Sequence, residues 1–287
     1  MMAAPCLILL IAFFYVPLYG WIYAFFDYKI GYNLLDLPFV GLKYFKQALS
    51  DTSSLRVLRN TFIMSFFSLA LSPVAPMFAI CLSELRSSRF QKTIQTMTTL
   101  PHFMSWIITY SVFFFLFSAD NGIVNKVLLG LGLIKNATNI LADGNIVWVF
   151  QAMVGLWKGL GFGAVIYFAS LAGIDPELYD AANVDGAGRA QRIIHITSPG
   201  LVPTYLTLLL INIGFILSNG FDQYYVFSNA AIMDKIEVLD LYIYNVGFYL
   251  NNYPLSTSLG VLKIIFSMSF LLFFNMISKV LRGQSIV

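Results

Sequence analysis

The stretch DPELYDAANVDGAGRAQRIIHITSP, Asp175 to Pro199, is the longest run rich in both charge and small residues in a chain that is otherwise mostly hydrocarbon. Asp175 can cap a helix, Pro176 suits its first position, and Glu177 complements the dipole of its N-terminus. Gly186 and Gly188 then loosen the backbone. A second segment, Arg189 to Thr197, is expected to end near Pro199, because proline disfavours a helical residue before it. The stretch therefore reads as two short helices joined by an Asp-Gly turn. Ala181, Ala182, Ala187 and Ala190 keep part of its surface smooth enough for a partner to approach closely.

Working outward, the composition excludes a soluble fold. Hydrophobic residues make up 59% of the 287 and charged ones only 11%, and the mean hydropathy is +0.77; a globular chain is about a quarter charged. The length suits one membrane domain, 1–287. A net charge of +3, scattered through short loops, does not argue for nucleic acid. Two cysteines, each inside an apolar run, and two separate histidines build neither a disulfide framework nor a metal site.

Six apolar runs can cross a hydrocarbon core about 30 Å thick: about 4–26, 60–82, 100–118, 147–172, 199–219 and 256–281. No basic residue precedes the first run, so its orientation is set elsewhere or the start is truncated. The second run carries Pro73 and Pro76, which predict a kink and freed carbonyls. In the fourth, Gly155, Gly159 and Gly163 repeat at four-residue spacing and are expected to pack against another helix. Lys158 lies eleven residues into that run, roughly 16 Å at helical rise, too deep to reach water easily. A charge at that depth should face protein or a wet cavity. It either hydrogen-bonds a polar group in a cavity or satisfies carbonyls freed at Pro73 or Pro76. Lys263, nearer the start of the sixth run, is expected to snorkel. Asn212 is placed near the centre of the fifth.

The loop also carries a resemblance. Asp180-Ala181-Ala182, Asp185-Gly186-Ala187, nine residues between Gly186 and Ile196, and then Pro199 resemble the Glu-Ala-Ala loop of binding-protein-dependent ABC importer permeases. Asp180 stands where Glu is usual, and Ser198 where Leu usually precedes the proline. Phe39 to Phe45, and Trp157-Lys158-Gly159 through Tyr167 to Pro176, look like the complex-sugar or oligosaccharide branch, so the resemblance spans nearly the whole chain. It implies an all-α integral membrane protein with six transmembrane helices. Between spans 4 and 5 lies a cytoplasmic coupling-helix loop, comprising Asp180, Ala181, Ala182, Asp185, Gly186, Arg189, Arg192, Ile196 and Pro199. Arg189 and Arg192 are expected at the rim of an ATPase cleft.

The resemblance further implies a second homologous permease subunit, two ATPase subunits carrying ATP and Mg, an extracytoplasmic solute-binding protein, and a sugar or oligosaccharide cargo. The location it implies is the bacterial cytoplasmic membrane, with both termini inside; loop charge leans the same way under the positive-inside rule. The candidate pathway residues are Lys158, Asn212, Trp157 and Phe162.

Missing chemistry narrows the function. No glycine loop of the ATP-cradling type occurs; the sole Lys-Thr, Lys92-Thr93, follows Gln91. The chain is expected to bind no cofactor and to borrow its energy from a partner. An ion-gradient-driven secondary transporter, the alternative, would place carboxylates inside its spans, yet nearly all fourteen acids fall in loops. A membrane-embedded enzyme would need a convergent acid, base or metal set, and none is evident.

Overall fold

The computed structural model describes residues 4–282, and its regular structure there is helical apart from an isolated antiparallel bridge between Phe26 and Phe39. The chain opens with α1 (Ala4–Leu10), a wide π turn (Ile11–Tyr15) and a tight 3-10 stretch (Val16–Phe25) that carries Pro17 near its start. There follow α2 (Lys43–Ser50), α3 (Thr52–Leu71), α4 (Val74–Ser83), α5 (Ser88–Thr99), α6 (Trp106–Phe117), α7 (Ile123–Gly130) and α8 (Val147–Ala172). The second half comprises α9 (Pro176–Val184), α10 (Arg189–Arg192), α11 (Ser198–Gly214), α12 (Asp222–Phe227), α13 (Met233–Ile236), α14 (Leu239–Tyr244) and α15 (Tyr253–Arg282).

Burial is inverted relative to a water-soluble protein. Phe66, Met77, Phe115 and Phe273 are exposed, whereas Asn60, Thr61, Thr109 and Gln151 are buried. Hydrocarbon outside the helices and hydrogen bonds between them are what a bilayer solvent requires. Five helical stretches are long and apolar enough to cross: Ala4–Phe25, Thr52–Ser83, Val147–Ala172, Arg189–Gly214 and Tyr253–Met276. The bent pair Ser88–Phe103 and Trp106–Phe117, which turns through 107°, is together long and apolar enough to make a sixth if it counts as one span. The third span is thus a corner and not the straight run expected over 100–118. The turn falls at a short 3-10 segment, Leu100–Phe103, and Ser105 starts α6 by accepting from the Ile108 N–H.

Two other spans differ from their expected bounds. The second begins at Thr52, with Asp51 as its cap, and breaks at Pro73. Proline 73 lacks the N–H that would bond the Leu69 carbonyl; the Ser72 hydroxyl donates to that carbonyl instead, at 2.7 Å. The fifth was expected to start at Pro199 and run to 219. It starts instead at Arg189, passes Pro199 without a break, and stops at Gly214. A π turn over Ile193–Thr197 immediately precedes the proline; widening the helix there relieves the clash between a proline ring and the carbonyl four residues earlier.

At the end opposite the Asp175 loop, the segment from Asn229 to Tyr244 is fastened to the first turns of α3. The Asn60 side chain donates to the carbonyls of Asp234 (2.9 Å) and Glu237 (3.1 Å), and the Leu239 N–H donates to Thr61 Oγ1 at 2.9 Å. Buried Glu237 accepts from Arg56 and from Asn245, both at 2.8 Å. Nearby, burial together with a 2.5 Å hydrogen bond to Asp27 pushes the Tyr44 phenol up to about 12. Lys263 does not snorkel; it forms an ion pair with Asp240 of α14.

Candidate functional site

Two features stand out for function: the Asp175 loop and a cavity that ends near it. In the loop, Asp175 caps α9 by accepting from the Glu177 N–H at 2.9 Å. Gly186 adopts a φ of +74°, a left-handed conformation that a side chain would strain. The helix α9 projects outward, with Val184 88% exposed and Leu178 51% exposed. Its base is fastened to the rest of the chain. The Tyr179 hydroxyl is 3.0 Å from Thr197 Oγ1, Arg192 donates to Asn183 Oδ1 at 2.7 Å, and Arg189 binds both the side chain and the carbonyl of Glu84, at the C-terminus of α4. The two arginines therefore make struts within the chain. Asp180, Ala181, Asp185 and Gly186 remain on the exposed surface; Ala182 and Ile196 are half-buried, and Pro199 lies exposed on α11.

Helix α8 organises the interior. Its Lys158 is buried and donates to the carbonyls of Pro101 (2.9 Å), His102 (2.9 Å) and Met104 (2.5 Å). Its ammonium also lies 5.1 Å from the centre of the Trp106 ring. A sharp turn inside a membrane leaves carbonyls without helical partners, and an ammonium offers three donors. Lys158 thus satisfies freed carbonyls, as one of the two expected roles requires, but at the α5–α6 corner and not at Pro73 or Pro76. The proline break already has its own donor in Ser72.

The glycine pattern also resolves differently from expectation. Gly159 has open space where a Cβ would be, and Gly155 and Gly163 meet only ordinary contacts with Gln223 and Ala75. The glycine of α8 that packs tightly is Gly161: a Cβ there would lie 2.3 Å from the Thr98 carbonyl carbon and oxygen. The backbone of α5 rests directly on α8 at that point. Phe162 stacks on His102 at 3.9 Å, completing the clasp.

Gly155, Gly159 and Gly163 instead line a cavity of about 620 Å³ between α3, α4, α8 and α11. Asn212 and Phe162 are on its wall; Lys158 and Trp157 are not. Trp157 packs edge-on against Phe113, at 5.4 Å. Sequence reasoning missed Gln151, Asn219 and Gln223, which also line the cavity. The side chain of Gln223 donates to both the carbonyl and the side-chain oxygen of Gln151 at 2.9 Å, closing one end. Two signals could have found them: a glutamine one helical turn before Gly155 in an apolar run, and the turn triplet Ser218-Asn219-Gly220 breaking the fifth run. Among the described residues, no group of three His, Cys, Asp or Glu side chains is gathered as a metal site needs.

A helical membrane chain with an exposed, fastened helix at one end of an internal cavity is a transport architecture, and the comparisons agree. Residues 75–283 match the family described as Binding-protein-dependent transport system inner membrane component. The chain belongs to that family. It is 33% identical to the polygalacturonan/rhamnogalacturonan transport system permease protein YteP of Bacillus subtilis, over 97% of this chain and 87% of that one. Protein LplB of the same organism is also 33% identical, over 96% and 86%. Among solved structures, a chain of a bacterial alginate ABC transporter, in complex with an alginate pentasaccharide-bound periplasmic protein, superposes with a TM-score of 0.89 at 29% identity, covering 99% of this chain and 94% of that one. This family member is accordingly a multi-pass permease subunit of an ABC importer.

Proposed function

We propose that this permease forms one half of the pathway for a sugar or oligosaccharide, and that the Asp175–Gly188 loop couples it to a separate ATPase subunit. The importer would comprise this chain, a second homologous permease, two ATPase subunits binding ATP and Mg, and an extracytoplasmic solute-binding protein. The chain itself contributes no ATP site. In this arrangement the loop and both termini face the cytoplasm of a bacterial cell. The saccharide assignment draws on relatives named for polygalacturonan and alginate transport.

The observation that carries the proposal is mechanical. Helix α9 is exposed for docking, while its base is tied to Thr197 and its connection to Glu84, so movement of α9 is delivered to α11 and α4. Both helices line the cavity. ATP binding then biases one cavity orientation through contacts that differ between the two states. Docking fits the helix-in-groove mode, with Asp180, Ala181, Ala182, Asp185 and Gly186 at the contact, and Ile196 and Pro199 behind it. Among the pathway residues, Asn212 and Phe162 would meet cargo directly, with Lys158 and Trp157 holding the wall behind them.

The test is uncoupling. Gly186→Leu and Ala182→Arg are expected to leave the protein in the membrane while abolishing cargo-stimulated ATP hydrolysis and lowering uptake about tenfold or more. Normal stimulation and normal uptake in both variants would refute the coupling role. Uptake that persists without an ATPase subunit, and collapses with an ion gradient, would mark a secondary transporter.

A further inference from the structure

The chemistry of the cavity is one-sided. No Asp, Glu, Lys, Arg or His occurs among the residues that line it. Its polar groups are amides and hydroxyls, chiefly Gln151, Asn212, Asn219, Gln223, Ser68 and Ser72. The cation that depth could have placed there, Lys158, is turned to the α5–α6 corner with its donors engaged by three carbonyls. Lys263 lines a separate groove, where Asp240 neutralises it.

Meanwhile the amides keep unused capacity. Gln223 donates through its nitrogen to Gln151, which leaves its own oxygen, and the Gln151 amide nitrogen, without a protein hydrogen bond among the described residues. These side chains belong to residues only 8% and 2% exposed, so their free valences are directed into the cavity and not to bulk solvent. Among the described residues the Asn212 side chain likewise has no protein hydrogen bond, and Phe162, whose ring stacks on His102, also lines the cavity.

We infer that the cargo passing this subunit is an uncharged saccharide, hydrogen-bonded by Gln151, Gln223 and Asn212 and packed against Phe162. This deepens the sugar-import reading and rests on it. A sugar hydroxyl is both donor and acceptor, as is a primary amide, so the wall can replace the hydration shell group for group. A uronate carboxylate entering the same wall would lose its hydration at membrane depth with no cation from this subunit to answer it.

The experiment uses the importer assembled with its own second permease, ATPase subunits and binding protein in proteoliposomes. Uptake of labelled neutral gluco-, xylo- and galacto-oligosaccharides is compared with that of oligogalacturonates and oligoalginates of equal length. Neutral cargo is expected to enter at least about tenfold faster, and Asn212→Ala and Gln223→Leu each to lower its uptake about tenfold in complexes that assemble as the parent does. Faster uptake of the uronates overturns the uncharged-cargo inference and leaves the sugar importer standing. Unchanged uptake in both variants overturns the assignment of the amides. ATP hydrolysis that responds to neither class of saccharide refutes the sugar reading itself, and the inference with it.

Discussion

Lys158 shows how a single residue at membrane depth is decided by its hydrogen-bond partners. Its depth is evident from its position in the run of 147–172, and depth alone demands protein or water around the ammonium. Which protein groups receive it depends on where backbone is broken nearby, and that is settled at the Pro101–Met104 corner. Lys158→Met keeps the apolar stem and removes the donors, leaving three carbonyls unpaired next to α8. The expected cost is on the order of 3 kcal/mol. The variant should show less assembled complex and a lower midpoint in thermal unfolding in detergent, before any defect specific to cargo. Full assembly with lost uptake would instead place the ammonium in contact with cargo.

At the scale of elements, the loop from Asp175 to Gly188 and the helix that follows have two attachments to the rest of the chain, through which the proposed coupling would act. Arg189 holds Glu84 through both side chain and carbonyl, yet both side chains are partly exposed, at 56% and 26%. A surface pair of this kind contributes about 1 kcal/mol or less to stability. Its consequence should appear in coupling. Glu84→Arg and Arg189→Glu are each expected to fold and assemble, while lowering cargo-stimulated ATP hydrolysis about fivefold. The exchanged pair, Glu84→Arg with Arg189→Glu, should recover much of that loss, since the ion pair is restored. Wild-type stimulation in both single variants would show that the strut transmits nothing. The second attachment is the unbroken helix from Arg189 to Gly214. Proline rules alone would end it at Pro199; the π turn at Ile193–Thr197 lets the helix continue past that residue.

Across the whole molecule, a cavity bounded by Gln151 and Gln223 at one end, with the Asp175 loop beyond the other, fits the proposed alternating access. Cys6 and Cys81 are exposed and would first be replaced by serine. Cysteines then introduced at Gly159 and Leu208, on the cavity walls of α8 and α11, should react with an impermeant thiol reagent from one face of the membrane without nucleotide. With ATP trapped, they should react from the other. Identical labelling under both conditions would rule out a nucleotide-driven change of access. Gly159 suits the purpose because a Cβ there meets nothing within 4 Å.

The amino-acid sequence by itself determined that the chain is a helical membrane protein built on about six apolar runs, and that a capped, exposed helix-turn lies at Asp175–Gly188. Those properties are local: unbroken hydrocarbon of sufficient length, and a capped, alanine-rich helix followed by Asp185-Gly186, identify themselves without reference to the rest of the chain. The tertiary structure decided which glycine packs and which faces space. A spacing of four gives Gly155, Gly159 and Gly163 a common face but does not say what lies opposite, and it was Gly161, outside that pattern, that met the α5 backbone. It also decided the partners of Lys158 and Lys263, and gathered Gln151, Asn212 and Gln223 around one cavity. In a bilayer every polar group must find its partner within the protein, so the identity of that partner is a property of the packing and not of the neighbouring sequence.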